Sequence, residues 1–507
     1  MKRIIVIGGG ISGLAAAHRM LERTRETGSS VDVTLLEASS RLGGTVKTEE
    51  RDGFLLERGP DSFISEKPQG LELAKRLDLE SRLIQTNQAN RRAFIVRNAK
   101  LLPVPEGFNL LAPSRLLPFL GSDIFSWRGK ARMAMDVLLP RKYGSTRAAN
   151  GADQENDESL ADFVRRRLGR EALERMAQPM VGGIFTADPE RISLRATMPR
   201  FLEMERKHRS LILALRRNAI DPGSNPHGSR QTGEGGTSGA RYSLFLSFDQ
   251  GMQLLTDTVA KNISEVTDTS SSTARIRLNT RVESLQLTRE NDQPVKWKLT
   301  TNAHETLQAD EVCVALPAHT AAKLMRDVDI QLASELEGIP YASSATVNVA
   351  YKREDIPHPL DGFGFVVPFI EKRSIMACTF SSVKFAGRAP HNCVLLRAFV
   401  GGALQPEMFD LTEDQIVSRV LSDLHDLLGI ERSPIFAEVS KWENSMPQYH
   451  LGHLARVERI RKRLGSLSGL ALAGNAYTGP GIPDCIRSGE DAAEALLSDE
   501  TLQNQAR

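Results

Sequence analysis

A glycine triplet, Gly8-x-Gly10-x-x-Gly13, sets the terms for this 507-residue chain, because it stands between an apolar run and a helical stretch. The run before it, KRIIVI, is almost continuously apolar, as in a parallel strand buried on both faces. Ser12 to about Glu26 can form a crossover helix, and VDVTLLE (Val31–Glu37) reads as the next strand. In such a unit Gly8 permits the tight turn, Gly10 lets a pyrophosphate approach the backbone, and Gly13 lets the helix pack close to the sheet. Gly9, Ile11 and Ser12 complete the turn, where a helix start offers N–H groups to phosphate. Glu37 ends the second strand where a carboxylate can take both ribose hydroxyls, and its charge argues against NADP. A glycine turn without a ligand is the bland alternative, and Glu37 at this spacing weighs against it.

The residues just after Glu37 decide between dinucleotides. Arg41-x-Gly43-Gly44-Thr45 resembles the second signature of FAD enzymes in the amine-oxidase superfamily, where two glycines bring further backbone to the pyrophosphate and an arginine adds charge. FLLERGPDSF (Phe54–Phe63) extends the resemblance, with Glu57 and the Gly59-Pro60 turn expected to approach the flavin. Far along the chain, GLALAGNAYTGPGIPDCIRSG (Gly469–Gly489) is similar to that superfamily's closing strand, glycine loop and helix. There Gly474 lies in the loop, and Pro480, Gly481 and Ile482 bring backbone N–H groups and a helix dipole to the flavin's pyrimidine end.

Three longer stretches narrow the resemblance. GIPDCIRSG, KWENSMPQYHLGH (Lys441–His453) and GGIFTADPERISLRATMP (Gly182–Pro199) resemble the oxygen-dependent porphyrinogen oxidases of haem synthesis, over nearly the whole chain. This implies FAD contacts at Gly8 to Gly13, Glu37, Arg41, Gly43 to Thr45, Gly59 and Pro60, with Val282 beside the adenine and Trp442 and Pro480 to Ile482 near the isoalloxazine. It also implies a porphyrinogen cavity lined by Gly183, Ile184 and Phe363. Eukaryotic protoporphyrinogen oxidases carry a propionate-clamping arginine where this chain has Ala93, in AFIVRNAKLLPVP (Ala93–Pro105). Arg91, Arg92 or Arg97 are the candidate substitutes, and the departure tilts the expected substrate from protoporphyrinogen IX towards coproporphyrinogen III. The implied reaction is a six-electron aromatisation in three flavin cycles, each passing a hydride equivalent to flavin N5 and an electron pair to oxygen, with hydrogen peroxide released. Since the cofactor carries the chemistry, no catalytic acid or base is nominated. An amine oxidase or carotenoid desaturase of the same superfamily is the alternative, and a flavin-binding carrier without turnover is a more distant one.

The fold class expected is α/β: a Rossmann-type FAD domain assembled from both chain ends (1–75, 241–320 and 455–507), a mixed-sheet substrate domain (76–99, 201–240 and 321–454), and a helical lobe (100–200). Asn218–Arg241 reads as a mobile loop. In the lobe, Pro113–Arg147 mixes apolar residues, Trp127 included, with arginine and lysine, which fits either a membrane-surface face or a cap over the substrate. A net charge of +2 gives no reason to expect nucleic acid. Four scattered cysteines argue against a disulfide framework or zinc site and fit a reducing compartment. His450 and His453 lack a third ligand cluster, so no metal is expected, and Cys485 reads as a buried helix-start residue. With no presequence or spanning helix evident, the expectation is a cytoplasmic protein, with peripheral membrane contact and a homodimer left open, acting on porphyrinogen and molecular oxygen.

Overall fold

The computed structural model describes residues 1–109, 111–142, 157–220, 245–266, 272–288 and 296–505. The loop expected at Asn218–Arg241 lies outside the described residues from 221 onward, as do residues 143–147 of the lobe stretch.

Strands from three distant parts of the chain form one five-stranded parallel sheet, in the order Thr273–Arg277, Val31–Leu36, Lys2–Ile7, Glu311–Val314 and Leu470–Leu472. The central strand Lys2–Ile7 feeds its side chains into cores on both faces: Ile4 and Val6 into one, Ile5 and Ile7 into the other. That explains its unbroken apolar sequence. An opening helix (Ile11–Thr27) and a closing helix (Ile482–Gln505) cover one face and pack against each other. Their approach depends on Gly489, where a Cβ would lie 2.1 Å from the carbonyl oxygen of Ser12. RIRLNTRVESLQL divides into two strands, Thr273–Arg277 in the parallel sheet and Val282–Thr288 in a separate three-stranded antiparallel sheet. The LNTR turn between them folds back, with Asn279 and Thr280 N–H donating to the carbonyls of Ser39 and Glu37.

A second, seven-stranded sheet is mixed: all its pairs are antiparallel except Gly364–Val366 with Phe94–Arg97. One face carries Val347, Val349, Leu396 and Ala398 and is covered by the helix Glu413–Leu428. The opposite face is shared. Ala350, Leu395 and Phe436 pack there against Phe54 and Leu56 of the strand Phe54–Glu57, while Ala93 and Ile95 enter the core of the helical lobe.

The lobe's helical stretch is not continuous. ESLADFVRRRLGREALERMAQPM breaks at Gly169, whose φ of +97° favours glycine, and continues through a π-helical turn (Leu173–Ala177) into the helix Gln178–Phe185. The helices Pro199–His208 and Leu211–Ile220, expected with the substrate domain, contribute Phe201, Leu211 and Ile212 to the lobe core. A buried carboxylate ties them in: Asp136 accepts from Arg167 Nε at 2.7 Å, Ser210 Oγ at 2.6 Å and Ile212 N at 3.2 Å. The strand Lys100–Pro103 falls within the stretch expected to be helical and pairs with Phe94–Arg97.

Candidate active site

Two glycine stretches meet at the C-terminal edge of the parallel sheet. Gly8 has φ +108°, and a Cβ on Gly13 would lie 1.9 Å from the Gly8 carbonyl, so the opening helix reaches this position only with glycine there. Gly43 N donates to Gly9 O at 2.8 Å, and Gly10 and Gly43 form a parallel bridge. Around Gly10 a Cβ would meet nothing within 4 Å, and Gly44 and Thr45 beside it are exposed. The opening helix has no side-chain cap and no acid in its first turn, so the first-turn N–H groups of Ile11, Ser12 and Gly13 remain for an anion. Open space, unpaired donors and absent side chains together fit the pyrophosphate of FAD.

Glu37 accepts from Gly9 N at 2.7 Å and Ser39 N at 2.8 Å, one bond to each carboxylate oxygen, which leaves lone pairs for ribose hydroxyls. Arg41 turns back onto its own loop, bonding the carbonyls of Leu42 at 3.0 Å and Val46 at 3.1 Å as well as that of Gly44. It stands behind the loop as a brace, and its charge lies close to, not across, the phosphate cradle. Val282 is buried in the same core as Leu36, next to the strand that ends at Glu37.

The Gly59-Pro60 turn is held from the seven-stranded sheet. Three successive carbonyls of the incoming strand accept side-chain donors: Glu57 O from Asn348 Nδ2 at 3.1 Å, Arg58 O from Trp442 Nε1 at 2.8 Å and Thr346 Oγ1 at 3.1 Å, and Gly59 O from buried Arg397. A Cβ on Gly59 would sit 1.7 Å from the Thr45 carbonyl, so this turn and the second glycine stretch touch backbone to backbone. Trp442 is thereby placed beside the turn. Thr346, Asn348 and Arg397 were not singled out from sequence, although a signal was there. Thr346 and Asn348 are the polar members of an alternating apolar run, and Arg397 is the lone charge in CVLLRAFVGG. Asn348 and Arg397 are register partners on adjacent strands.

Electrostatics around the turn are set by burial and neighbouring cations. Burial pushes the Glu57 carboxyl up to about 7, against hydrogen bonds from Met252 N at 2.8 Å and Thr48 Oγ1 at 2.8 Å. This carboxyl thereby holds the N–H of Met252, the residue at which the helix Gln253–Ser264 begins. Burial alone would raise Asp61, but Lys384, 2.9 Å away, and Arg397 hold it well below the usual carboxylate range.

The same sheet face carries the expected substrate residues. Val366, Ala377 and Phe399 lie in one transverse row, and Thr379 and Arg397 in the next. Gly183 lies over Val366, its would-be Cβ 3.9 Å from Val366 Cγ1, and Ile184 packs alongside. One strand, Ile375–Phe380, lies between those of Val366 and Arg397, which puts them two spacings or about 10 Å apart, and Gly183–Ile184 and Gly59–Pro60 border that same face. Phe363 is buried, 2% exposed. Arg92 and Arg97 flank opposite ends of one strand, roughly 16 Å apart at ~3.3 Å per residue. Arg91 and Arg92, with Gln88, Glu106 and Asp123, line a cleft of about 610 Å³, and Arg92 pairs there with Asp361 at 2.8 Å. Arg97 is not among its lining residues. Ala93 is buried in the lobe core.

The closing motif completes the edge. Gly474, with φ +141°, donates its N–H to Ser488 Oγ at 3.0 Å, and the half-buried Pro480 and Gly481 lead into Ile482, the first residue of the closing helix. Cys485 is buried and its thiol is pushed up to about 12 by that burial, so it is neither thiolate nor nucleophile at neutral pH. His453 stacks on Tyr449 with ring centroids 4.1 Å apart, and burial lowers it to about 4.

Comparison with known proteins matches residues 11–497 to the family model of flavin containing amine oxidoreductases. Two curated relatives named coproporphyrinogen III oxidase are 33% identical (Bacillus subtilis strain 168, covering 98% of either chain) and 31% identical (Propionibacterium freudenreichii, covering 97% of this chain and 90% of the relative). Protoporphyrinogen oxidase 2 of Arabidopsis thaliana is 27% identical, covering 98% of this chain and 94% of the relative. Among solved structures, a candidate protoporphyrinogen oxidase of Exiguobacterium sp. 255-15 superposes with a TM-score of 0.81 at 31% identity, covering 98% of this chain and 99% of that one. Putrescine oxidase, at 16% identity and a TM-score of 0.63 over 98% and 99%, shares the fold.

Proposed function

Because the chain belongs to the flavin-containing amine oxidoreductase family, we propose that this FAD-dependent oxidoreductase converts a porphyrinogen to the porphyrin in haem synthesis, with coproporphyrinogen III preferred over protoporphyrinogen IX. The observation that carries this reading is full-length similarity, at 31% and 33% identity, to two relatives named for coproporphyrinogen III, against 27% for the plant protoporphyrinogen enzyme. FAD, when bound, would supply hydride-accepting and oxygen-reducing chemistry, with hydrogen peroxide as the reduced product of oxygen once two protons are added. The residues of the chain bind and orient. The glycine turns at Gly8–Gly13 and Gly43–Thr45 hold the pyrophosphate, and Glu37 the ribose. Thr346, Asn348, Arg397 and Trp442 fix the turn at Gly59–Pro60 that approaches the flavin. Gly183 and Ile184 form the opposite wall, where a glycine surface leaves room for a flat ring. Of the three candidate arginines, Arg91 and Arg92 line the 610 Å³ cleft and are better placed than Arg97 to meet a propionate there.

The lobe supports a peripheral membrane role. Leu117, Trp127 and Leu138 are 83, 72 and 75% exposed, and Arg115, Arg128 and Arg141 lie among them. Exposed apolar side chains interspersed in sequence with exposed arginines suit an anionic bilayer surface. Among the described residues no helix is long and apolar enough to cross one.

The test is the initial rate of porphyrin fluorescence in air from each porphyrinogen with purified yellow protein. Faster turnover of coproporphyrinogen III with stoichiometric peroxide is expected. Preference for protoporphyrinogen IX overturns the substrate choice, and no rate above spontaneous oxidation with either overturns the porphyrinogen reading.

A further inference from the structure

The closing glycine loop carries a charge arrangement of its own. Asp484 is the third residue of the closing helix and is 2% exposed. Its carboxylate folds back over the loop. A Cβ on Gly479, whose φ is +149°, would lie 2.4 Å from Asp484 Cγ, and one on Gly481 would lie 3.2 Å from Asp484 Oδ2. One carboxylate oxygen pairs with Lys67 Nζ, and the other with Arg487 Nη2 at 3.0 Å. Lys67 comes from the segment that leads out of the Gly59-Pro60 turn into the helix Gln69–Arg76, so the pair joins two backbone stretches of the same site.

A carboxylate at a helix N-terminus partly cancels the positive end of the dipole. Here that end is the one expected at the flavin's pyrimidine edge, which gains negative charge on reduction. Uncompensated, Asp484 would oppose reduction; with Lys67 and Arg487 beside it, the group carries a net charge of +1. Cys485, the neighbouring titratable residue, is a neutral thiol. We propose that Asp484, clamped between Lys67 and Arg487, is a positioning residue that shapes the Gly479–Ile482 loop, and that the two cations keep its charge from lowering the reduction potential of the flavin. The proposal rests on the FAD reading of this site.

The measurement is the midpoint potential of bound FAD in the purified holoenzyme, by reduction in equilibrium with a reference dye. Lys67→Gln should shift it to more negative values, Lys67→Arg should keep it at the wild-type value, and Asp484→Asn should shift it to more positive values. Lys67 is 46% exposed, so its variants are expected to fold even where Asp484→Asn does not. A Lys67→Gln potential equal to wild type overturns the proposal, as does Lys67→Arg moving as far as Lys67→Gln. Wild-type protein that purifies colourless and takes up no added FAD overturns the cofactor reading itself, a distinct outcome.

Discussion

At the scale of single residues, the site is built from positions where a side chain cannot stand. Gly59 is the sharpest case, because a methyl group there would overlap the Thr45 carbonyl at 1.7 Å and force the two loops apart. Gly59→Ala should give folded protein with flavin absorbance lost or strongly reduced, read as the flavin's visible absorbance band per polypeptide after gel filtration. Two buried ionisable groups give pH signatures of opposite sign. Glu57 is raised to about 7 in the fold from an ordinary 4.5, so its stabilising contribution is complete at low pH and is lost as pH rises towards 7. Glu57→Gln keeps an acceptor for Met252 N. It should therefore gain thermal stability over wild type at pH 8 relative to the same comparison at pH 5. His453 is lowered from 6.5 to about 4, so its contribution is lost as pH falls through that interval. It amounts to on the order of 3 kcal/mol at ~1.4 kcal/mol per unit. His453→Phe, which preserves stacking on Tyr449, should flatten the fall of the melting temperature between pH 6.5 and pH 5.

At the scale of elements, local chemistry and distant partners contribute unequally. The helix Glu413–Leu428 is fully specified by its own residues. Thr412 caps it and accepts from Gln415 N, the Gln415 side chain returns the bond, and Gly429 ends it at φ +71°. Thr412→Ala should cost about 1 kcal/mol, visible as roughly five-fold faster hydrogen exchange in its first turns. Elements of this kind were legible from sequence: the strand Lys2–Ile7, and the crossover helix within a residue of its expected start. RIRLNTRVESLQL was not, because its alternation is the same whether one strand or two is made, and only the partners of Asn279 and Thr280 turn it. The lobe helix broke at Gly169 for a similar reason, since an isolated glycine in an apolar helical pattern does not announce whether it ends the helix. For the site, the glycine and Glu37 positions were readable because backbone geometry restricts the residue type. The grip of Thr346, Asn348 and Arg397 on three carbonyls was not, since it depends on which strand lies across the sheet.

At the scale of the molecule, the two sheets are joined at the turn at Gly59 and again where Asn475 Nδ2 donates to Ser445 O at 3.2 Å, and the parallel sheet is completed by the strand Leu470–Leu472. Gly489→Val should push the closing helix off Ser12 and loosen the flavin site from a distance, giving a lower melting temperature and faster FAD loss on dilution than wild type. That closure also has a consequence in time. Leu470–Leu472 leaves the ribosome tens of seconds after Lys2–Ile7, at roughly 5–20 residues per second. Until then the strand Glu311–Val314 presents a bare edge to every other nascent chain nearby. The parallel sheet that carries the glycine turns is therefore complete only once Leu470–Leu472 has been made, and the unpaired edge has to stay protected through that interval.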